Sequence, residues 1–322
     1  MRYVVYGAGA IGGLVGGRMF EAGSNVTVIA RGDHLAALQK RGLTIEEPDR
    51  TRTLKVPAVG SPGEAALEPG DVVLMAMKTQ DSPTAFAALA AAAPAGVRVV
   101  CLQNGVENER IALRHFDDVY AVPVMCPASH LEPGAVQGHS SPIPGLFDVG
   151  RYPSGSDDVA EEVSAAFTEA GFDSGVRTDV MRWKWAKLLM NLGNAADAAL
   201  TPGENRDALV GEARAEGERV LRAAGIEFAS ADEDRERRGD LLNLRPIEGK
   251  RRGGGSTWQS IARGTGSIEV DYLNGEIAML GRVHGVPTPV NTYLQRTANA
   301  LAASGGEPHS VEPPPVETLI RR

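Results

Sequence analysis

The first residues able to do chemistry stand almost at the start of the chain, in Gly7-Ala8-Gly9-Ala10-Ile11-Gly12. This is the G-x-G-x-x-G spacing, set directly after an apolar β-branched run (Arg2–Tyr6) and at the head of a helix-like segment (Ala10–Ala22). The first glycine permits a tight turn, the second lets backbone approach a pyrophosphate, and the third lets the helix pack close to the strand. The pyrophosphate then meets unpaired amide donors at the positive end of a helix dipole. Gly7, Ala8, Gly9, Ala10, Ile11 and Gly12 are therefore expected to hold a dinucleotide. The next strand, Asn25–Ala30, is followed by Arg31, where an NAD site usually carries Asp or Glu for the ribose 2′-hydroxyl. A guanidinium suits a 2′-phosphate instead, so NADP(H) is the expected cofactor.

Two further polar residues follow predicted strands. Lys78 comes after Asp71–Met77, and Asn104 after Val97–Leu102, in Gln103-Asn104-Gly105. Ligands of open α/β sheets bind at strand C-termini, although Asn-Gly alone is also a common turn. Later, Lys187, Asn191 and Asn194 interrupt the apolar segment Trp183–Leu192 and its continuation. At about 100° per residue they share one narrow stripe of a continuous helix. Pattern alone leaves Lys187 equally readable as a snorkelling surface lysine. Ser256 follows Gly253-Gly254-Gly255 and reads first as a helix N-cap, while Glu269 reads as a first-turn dipole partner.

The elements that must carry these residues change character midway. Up to about residue 178, strand-like runs alternate with helix-like segments, which predicts a parallel sheet with helices on both faces. Leu43–Val56 and Leu131–Val149 read as antiparallel interruptions, and Phe172–Thr178 as a closing strand. From about Val180 the pattern is helical: Met181–Leu200, Asn205–Ala224, Asp232–Leu242, Ser267–His284 and Thr288–Ala303. The mixed-sign run Asp232–Asp240 reads as a solvated helix face. This gives an α/β dinucleotide-binding domain over 1–178, an all-helical domain over 179–304 and a disordered, Pro-rich tail over 305–322.

Composition excludes several functions. The chain has 322 residues, 43% apolar and 23% charged, with 33 Lys+Arg against 41 Asp+Glu. A net charge of −8, with no basic stretch beyond Lys250-Arg251-Arg252, argues against a nucleic-acid partner. No apolar run approaches the ~18 residues of a membrane helix, and no secretory leader is read at the start. Two cysteines, Cys101 and Cys126, make neither a disulfide framework nor a metal site. A cytoplasmic protein with no metal is expected.

The order of the pieces resembles the ketopantoate reductase (2-dehydropantoate 2-reductase) family from residue 1 to about 300. The resemblance is carried by Gly7–Gly13, Arg31, Met77-Lys78, Gln103-Asn104-Gly105, Lys187-Leu188-Leu189-Met190-Asn191 and Ile268–Gly275. It implies a Rossmann domain followed by a helical domain, and NADPH-dependent reduction of 2-dehydropantoate to (R)-pantoate on the route to coenzyme A. It also implies that Lys187 is the general acid, that Glu269 positions it and that Asn191, Asn194 and Ser256 contact substrate. Asn104 and Lys78 would lie near the nicotinamide and the reacting carbonyl, with Asn104 contacting both cofactor and substrate. Departures from the family pattern fall at Ala195, where a second Asn is common, at Ser260, where Asp is common, and across Val122–His130. They keep open another small 2-keto acid or ketone as substrate, or a non-catalytic NADP(H) sensor. The apolar helices leave room for a homodimer through the helical domain.

Overall fold

The computed structural model describes residues 1–250, 252–264 and 266–320, so Arg251 of the basic run lies outside the described residues. The chain forms two compact units. The first is Met1–Lys184 with Ala231–Arg252, and the second is Trp185–Ser230 with Gly253–Arg322. The expected division after residue 178 thus differs on two counts: the first unit keeps six more residues and takes back a later segment.

The first unit is built on β1 (Arg2–Tyr6), β2 (Asn25–Ile29), β3 (Leu43–Glu47), β4 (Arg50–Leu54), β5 (Ala58–Val59), β6 (Val72–Met75), β7 (Arg98–Cys101), β8 (Val119–Ala121), β9 (Ala128–Ser129), β10 (Ala135–Gly138) and β11 (Gly150–Arg151). Seven of these make one sheet in the order β11-β8-β7-β6-β1-β2-β5, parallel apart from β11. Every residue of β6 is buried, as a strand covered on both faces must be. The covering helices include α1 (Ala10–Glu21), α2 (Gly32–Arg41), α3 (Ser82–Ala92), α4 (Asn108–Ala112) and α5 (Asp158–Glu169). The chain order reverses at β1, between β2 and β6, and such a switch point opens a crevice at the strand C-termini. The level registers Tyr6↔Met75 and Met75↔Cys101 bring the tips after β1, β6 and β7 side by side.

A second sheet runs β4-β3-β10-β9. The β3–β4 hairpin is antiparallel, as the pattern of Leu43–Val56 predicts. Within Leu131–Val149, however, β10 pairs in parallel with β3 and antiparallel only with β9. Phe172–Thr178 makes isolated bridges rather than a strand. Side chains interrupt its ladder: Ser174 Oγ donates to the Phe147 carbonyl at 2.6 Å, and Asp148 Oδ1 accepts the Gly175 N–H at 3.0 Å.

The returning segment carries α9 (Ala231–Arg238), named after α6 (Val180–Asn191), α7 (Asn194–Ala199) and α8 (Glu204–Ala223). It corrects the reading of Asp232–Asp240 as wholly solvated. Arg237 grips the buried Asp148 side-on at 2.6 and 2.8 Å and also reaches Asp173 at 2.6 Å. Arg177 shares the same carboxylate. Burial pushes the Asp148 carboxyl up, but the two guanidiniums outweigh it and hold the group below its ordinary value.

In the second unit, α6 does not continue to Leu200. It stops at Asn191 and α7 begins at Asn194, with the intervening Leu192 carbonyl accepting from Asn274 Nδ2 at 3.0 Å. The unit adds α10 (Ser256–Ala262), α11 (Asn274–His284), α12 (Pro289–Ser304) and α13 (Glu317–Ile320). Buried Glu216 on α8 accepts the Val290 and Asn291 N–H groups, both at 2.9 Å, at the positive end of α12. The expected disorder after residue 304 is not found across 305–320. There His309 and Val311 donate their N–H groups to Ala198 and Ala199, and Thr201 donates to Val311. Those carbonyls end α7 and need donors that their own helix lacks, which is why the tail is laid down there.

Candidate functional site

The glycine segment is shaped for a dinucleotide. Gly7 has φ +102°, and a Cβ there would stand 2.8 Å from Met77 N. A Cβ on Gly12 would stand 2.1 Å from the Gly7 carbonyl oxygen, so only glycine lets α1 lie this close to β1. At Gly9 the nearest atom to such a Cβ is His130 Nδ1 at 4.0 Å, leaving the backbone approachable. Gly7 and Ala8 both donate to the Ile29 carbonyl, pinning the turn to the end of β2. Ala10 and Ile11 form the first turn of α1, which carries no acidic side chain to repel a phosphate. These residues fit a nicotinamide dinucleotide.

His34, which no spacing rule singles out, locks this loop from α2. Its Nε2–H donates to the Ala8 carbonyl at 2.7 Å, and its Nδ1 accepts the Gly134 N–H at 2.9 Å. The two bonds require the neutral ring, and burial lowers its pKa in the same direction. Arg31 caps α2 at the end of β2, with its side chain 78% exposed and Asp81 3.9 Å away. So open a pair holds the guanidinium weakly.

Lys78 and Asn104 are brought to neighbouring strand ends and laced together. Thr79 Oγ1 donates to the Asn104 carbonyl at 3.2 Å, and Asn108 Nδ2 donates to the same oxygen at 3.0 Å. Gln103 Nε2 reaches back to the Met77 carbonyl at 2.9 Å and to Ser82 Oγ at 2.7 Å. Beneath them lies a residue the sequence reading missed. Lys184, 2% exposed, donates to the Gln103 carbonyl at 3.0 Å and to the fully buried Glu109 carboxylate. Burial pushes the Glu109 carboxyl up, and Lys184 opposes the rise. Two tryptophans flanking Lys184 were the available sign that this lysine, not only Lys187, faces an interior.

The second unit holds the other candidates. Lys187 is half-buried on α6, one turn before the buried Asn191 that ends it, so the two share a face. Asn194 lies beyond the helix break, so the continuous stripe expected over 187–194 is corrected. Instead, Asn194 Oδ1 comes to 3.8 Å from the Cβ position of Gly255. Gly255, not Ser256, is the N-cap of α10, and Ser256 is its first residue. Glu269, 5% exposed, opens a single 3-10 turn over Glu269–Tyr272 before α11. Asn274 then ties that segment to Leu192, the residue after Asn191. At the positions of departure, Ala195 is buried, and Ser260 Oγ donates to the Ser256 carbonyl at 3.2 Å. Among the described residues no His/Cys/Asp/Glu group is arranged to hold a metal ion.

Comparison with known proteins finds matches in both parts of the chain. The family model described as ketopantoate reductase PanE/ApbA matches residues 3–153, and its C-terminal counterpart matches 179–302. The chain is 30% identical over 296 residues to the 2-dehydropantoate 2-reductase of Halobacterium salinarum, covering 90% of this chain and 95% of that one. Against the enzyme of the same name from Pyrococcus horikoshii the identity is 28% over 314 residues, covering 95% and 99%. The crystal structure of a PanE/ApbA family ketopantoate reductase from Ralstonia eutropha JMP134 superposes with TM-score 0.79 at 27% identity, covering 95% and 99%. A D-mandelate dehydrogenase bound to NADH and anilino(oxo)acetate shares the fold, with TM-score 0.80 at 20% identity and the same coverage. With both of its parts matched along nearly the whole chain, the protein belongs to the ketopantoate reductase family.

Proposed function

We propose that the protein reduces the ketone of 2-dehydropantoate with NADPH, giving (R)-pantoate. The observation that carries this reading is the near-complete alignment with relatives of that name, spanning the glycine turn and the Lys187 helix alike. NADPH supplies the hydride for the ketone carbon. Negative charge then grows on the carbonyl oxygen, where the Lys187 ammonium stabilises it and delivers a proton. Glu269 holds that lysine and the substrate, while Asn191, Asn194 and Ser256 orient the substrate. Lys78 and Asn104 serve the nicotinamide end.

The experiment is NADPH oxidation with 2-dehydropantoate set against a panel of other small 2-keto acids. Preference for 2-dehydropantoate supports the reading, and preference for another acid moves the substrate. No turnover with any acid leaves an NADP(H) sensor. Ala195, Ser260 and Val122–His130, read above as departures from the family pattern, are where a changed substrate would be traced. The reading also includes a cytoplasmic homodimer formed through the helical unit. Met279 and Val283, one turn apart on α11 and both exposed, favour such an interface. Sedimentation velocity giving only the monomer mass overturns it.

Cofactor choice rests on Arg31. Hydrogen bonds to a charged group contribute about 1.5–3 kcal/mol, so Arg31→Ala should weaken NADPH binding about 10- to 100-fold. NADH binding should barely change. Equal use of NADPH and NADH by the unaltered protein removes the 2′-phosphate role.

A further inference from the structure

Arg252 ends the segment that returns to the first unit, and among the described residues no carboxylate pairs with it. Its Nη2 reaches the Ala128 carbonyl only at 3.4 Å, and its buried Nε has no hydrogen-bond partner. Other interior arginines of this unit are served differently. Arg18, Arg52 and Arg237 have side chains 14%, 12% and 17% exposed, and each meets at least one carboxylate.

Among the described residues, the titratable groups that feel the Arg252 charge, Cys126 and His139, are neutral. Burial pushes the Cys126 thiol up to about 12, and burial with the Arg252 charge pushes the His139 ring down to about 4. His139 is engaged with Ser129 Oγ. Burial also lowers the pKa of Arg252 itself. A desolvated guanidinium among neutral groups is costly unless an anion completes it. Its planar fork of donors matches a carboxylate.

We propose that Arg252 receives the carboxylate of the 2-keto acid substrate, an inference that rests on the reductase reading above. Position supports it twice. Ala128, which Arg252 contacts, is two residues before His130, whose Nδ1 comes to 4.0 Å from the Cβ position of Gly9 in the dinucleotide turn. The pyrophosphate is already provided for by the amides at the head of α1, which leaves Arg252 for the other anion. The stretch it contacts, Val122–His130, is also one read above from the sequence as departing from the family pattern.

The test compares 2-dehydropantoate with its uncharged methyl ester in the unaltered protein, Arg252→Met and Arg252→Lys. Removing one partner of a buried charge pair typically costs enough for a loss of about 10²-fold or more, so Arg252→Met should lose that much in kcat/KM for the acid. Its kcat/KM for the ester and its Kd for NADPH should stay at the original values. Arg252→Lys should recover part of the loss. Equal losses for acid and ester, or no loss with either, overturn the proposal. A matching rise in the NADPH Kd overturns it too and assigns Arg252 to the cofactor. If Arg252→Met does not fold, Arg252→Lys decides, with a smaller loss confined to the acid expected. If the unaltered protein reduces no keto acid, the reductase reading falls. Calorimetric titration of the NADPH-loaded protein with 2-dehydropantoate then tests the site, and binding equal in the unaltered protein and the variant overturns it.

Discussion

Lys187→Ala should lower the turnover of the keto acid by about 10²–10⁴-fold, the usual contribution of one positioned general acid. On the proposed role of Lys187, the loss arises because alanine can neither meet the charge growing on the carbonyl oxygen nor protonate it. NADPH affinity should be unchanged, because the glycine turn and Arg31 lie in the other unit. Single-turnover rates at saturating NADPH and substrate read the chemical step directly. Lys187→Arg keeps the charge but is a poor proton donor, so it should remain far below the original rate. Turnover near normal in Lys187→Ala removes the residue from the mechanism. Loss of folding, seen in the thermal transition, makes it structural. Replacing Glu269 should weaken substrate affinity as well as turnover.

Lys184→Met should cost about 3–5 kcal/mol of stability, the range for stripping one partner from a buried ion pair. Glu109 is fully buried, so its carboxylate is left without its cation. The pH dependence has a definite sign. The Glu109 carboxyl is already raised by burial, and Lys184 is the group opposing that rise. A carboxyl with a raised folded pKa contributes stability present below its unfolded value, about 4.3, and loses it as pH climbs through the folded value. Without Lys184 the folded value moves higher still. Chemical unfolding should therefore find a smaller deficit in Lys184→Met at pH 5 than at pH 8. Lys184→Met combined with Glu109→Leu should regain most of the loss. A deficit that is equal at both pH values, or small at pH 8, contradicts this account. The single variant should also lose turnover, because Lys184 holds the Gln103 carbonyl next to Asn104.

The local signals were legible and the long-range ones were not. The strand Arg2–Tyr6 has the bounds its β-branched run predicts, and the glycines after it do what their spacing requires. The hairpin in Leu43–Val56 was equally readable, because its partners are neighbours. By contrast, β10 lies parallel to a strand about 90 residues earlier, and no alternation within Leu131–Val149 encodes that choice. The break at Leu192-Gly193 depends on Asn274, some 80 residues on, so Asn194 could not be placed by helical arithmetic. Lys184 and Lys187 differ by one helical turn and look alike as letters. Beyond the tryptophans flanking Lys184, it is Glu109, brought in on α4, that distinguishes the buried one. The tail misled because Pro313-Pro314-Pro315 reads as disorder, whereas its neighbours complete a helix end.

The discontinuity of the first unit bears on how the protein is made. Emerging from the ribosome in order, residues 1–184 contain the whole seven-stranded sheet but lack the segment that finishes it. Asp148 must then wait 89 residues for Arg237, with only Arg177 beside it meanwhile. A released chain ending at residue 184 should thus hold an under-neutralised acidic interior and resist protease less well than one ending after residue 252. Completion of the first unit should in this way wait until part of the second has been synthesised, which couples the two in time.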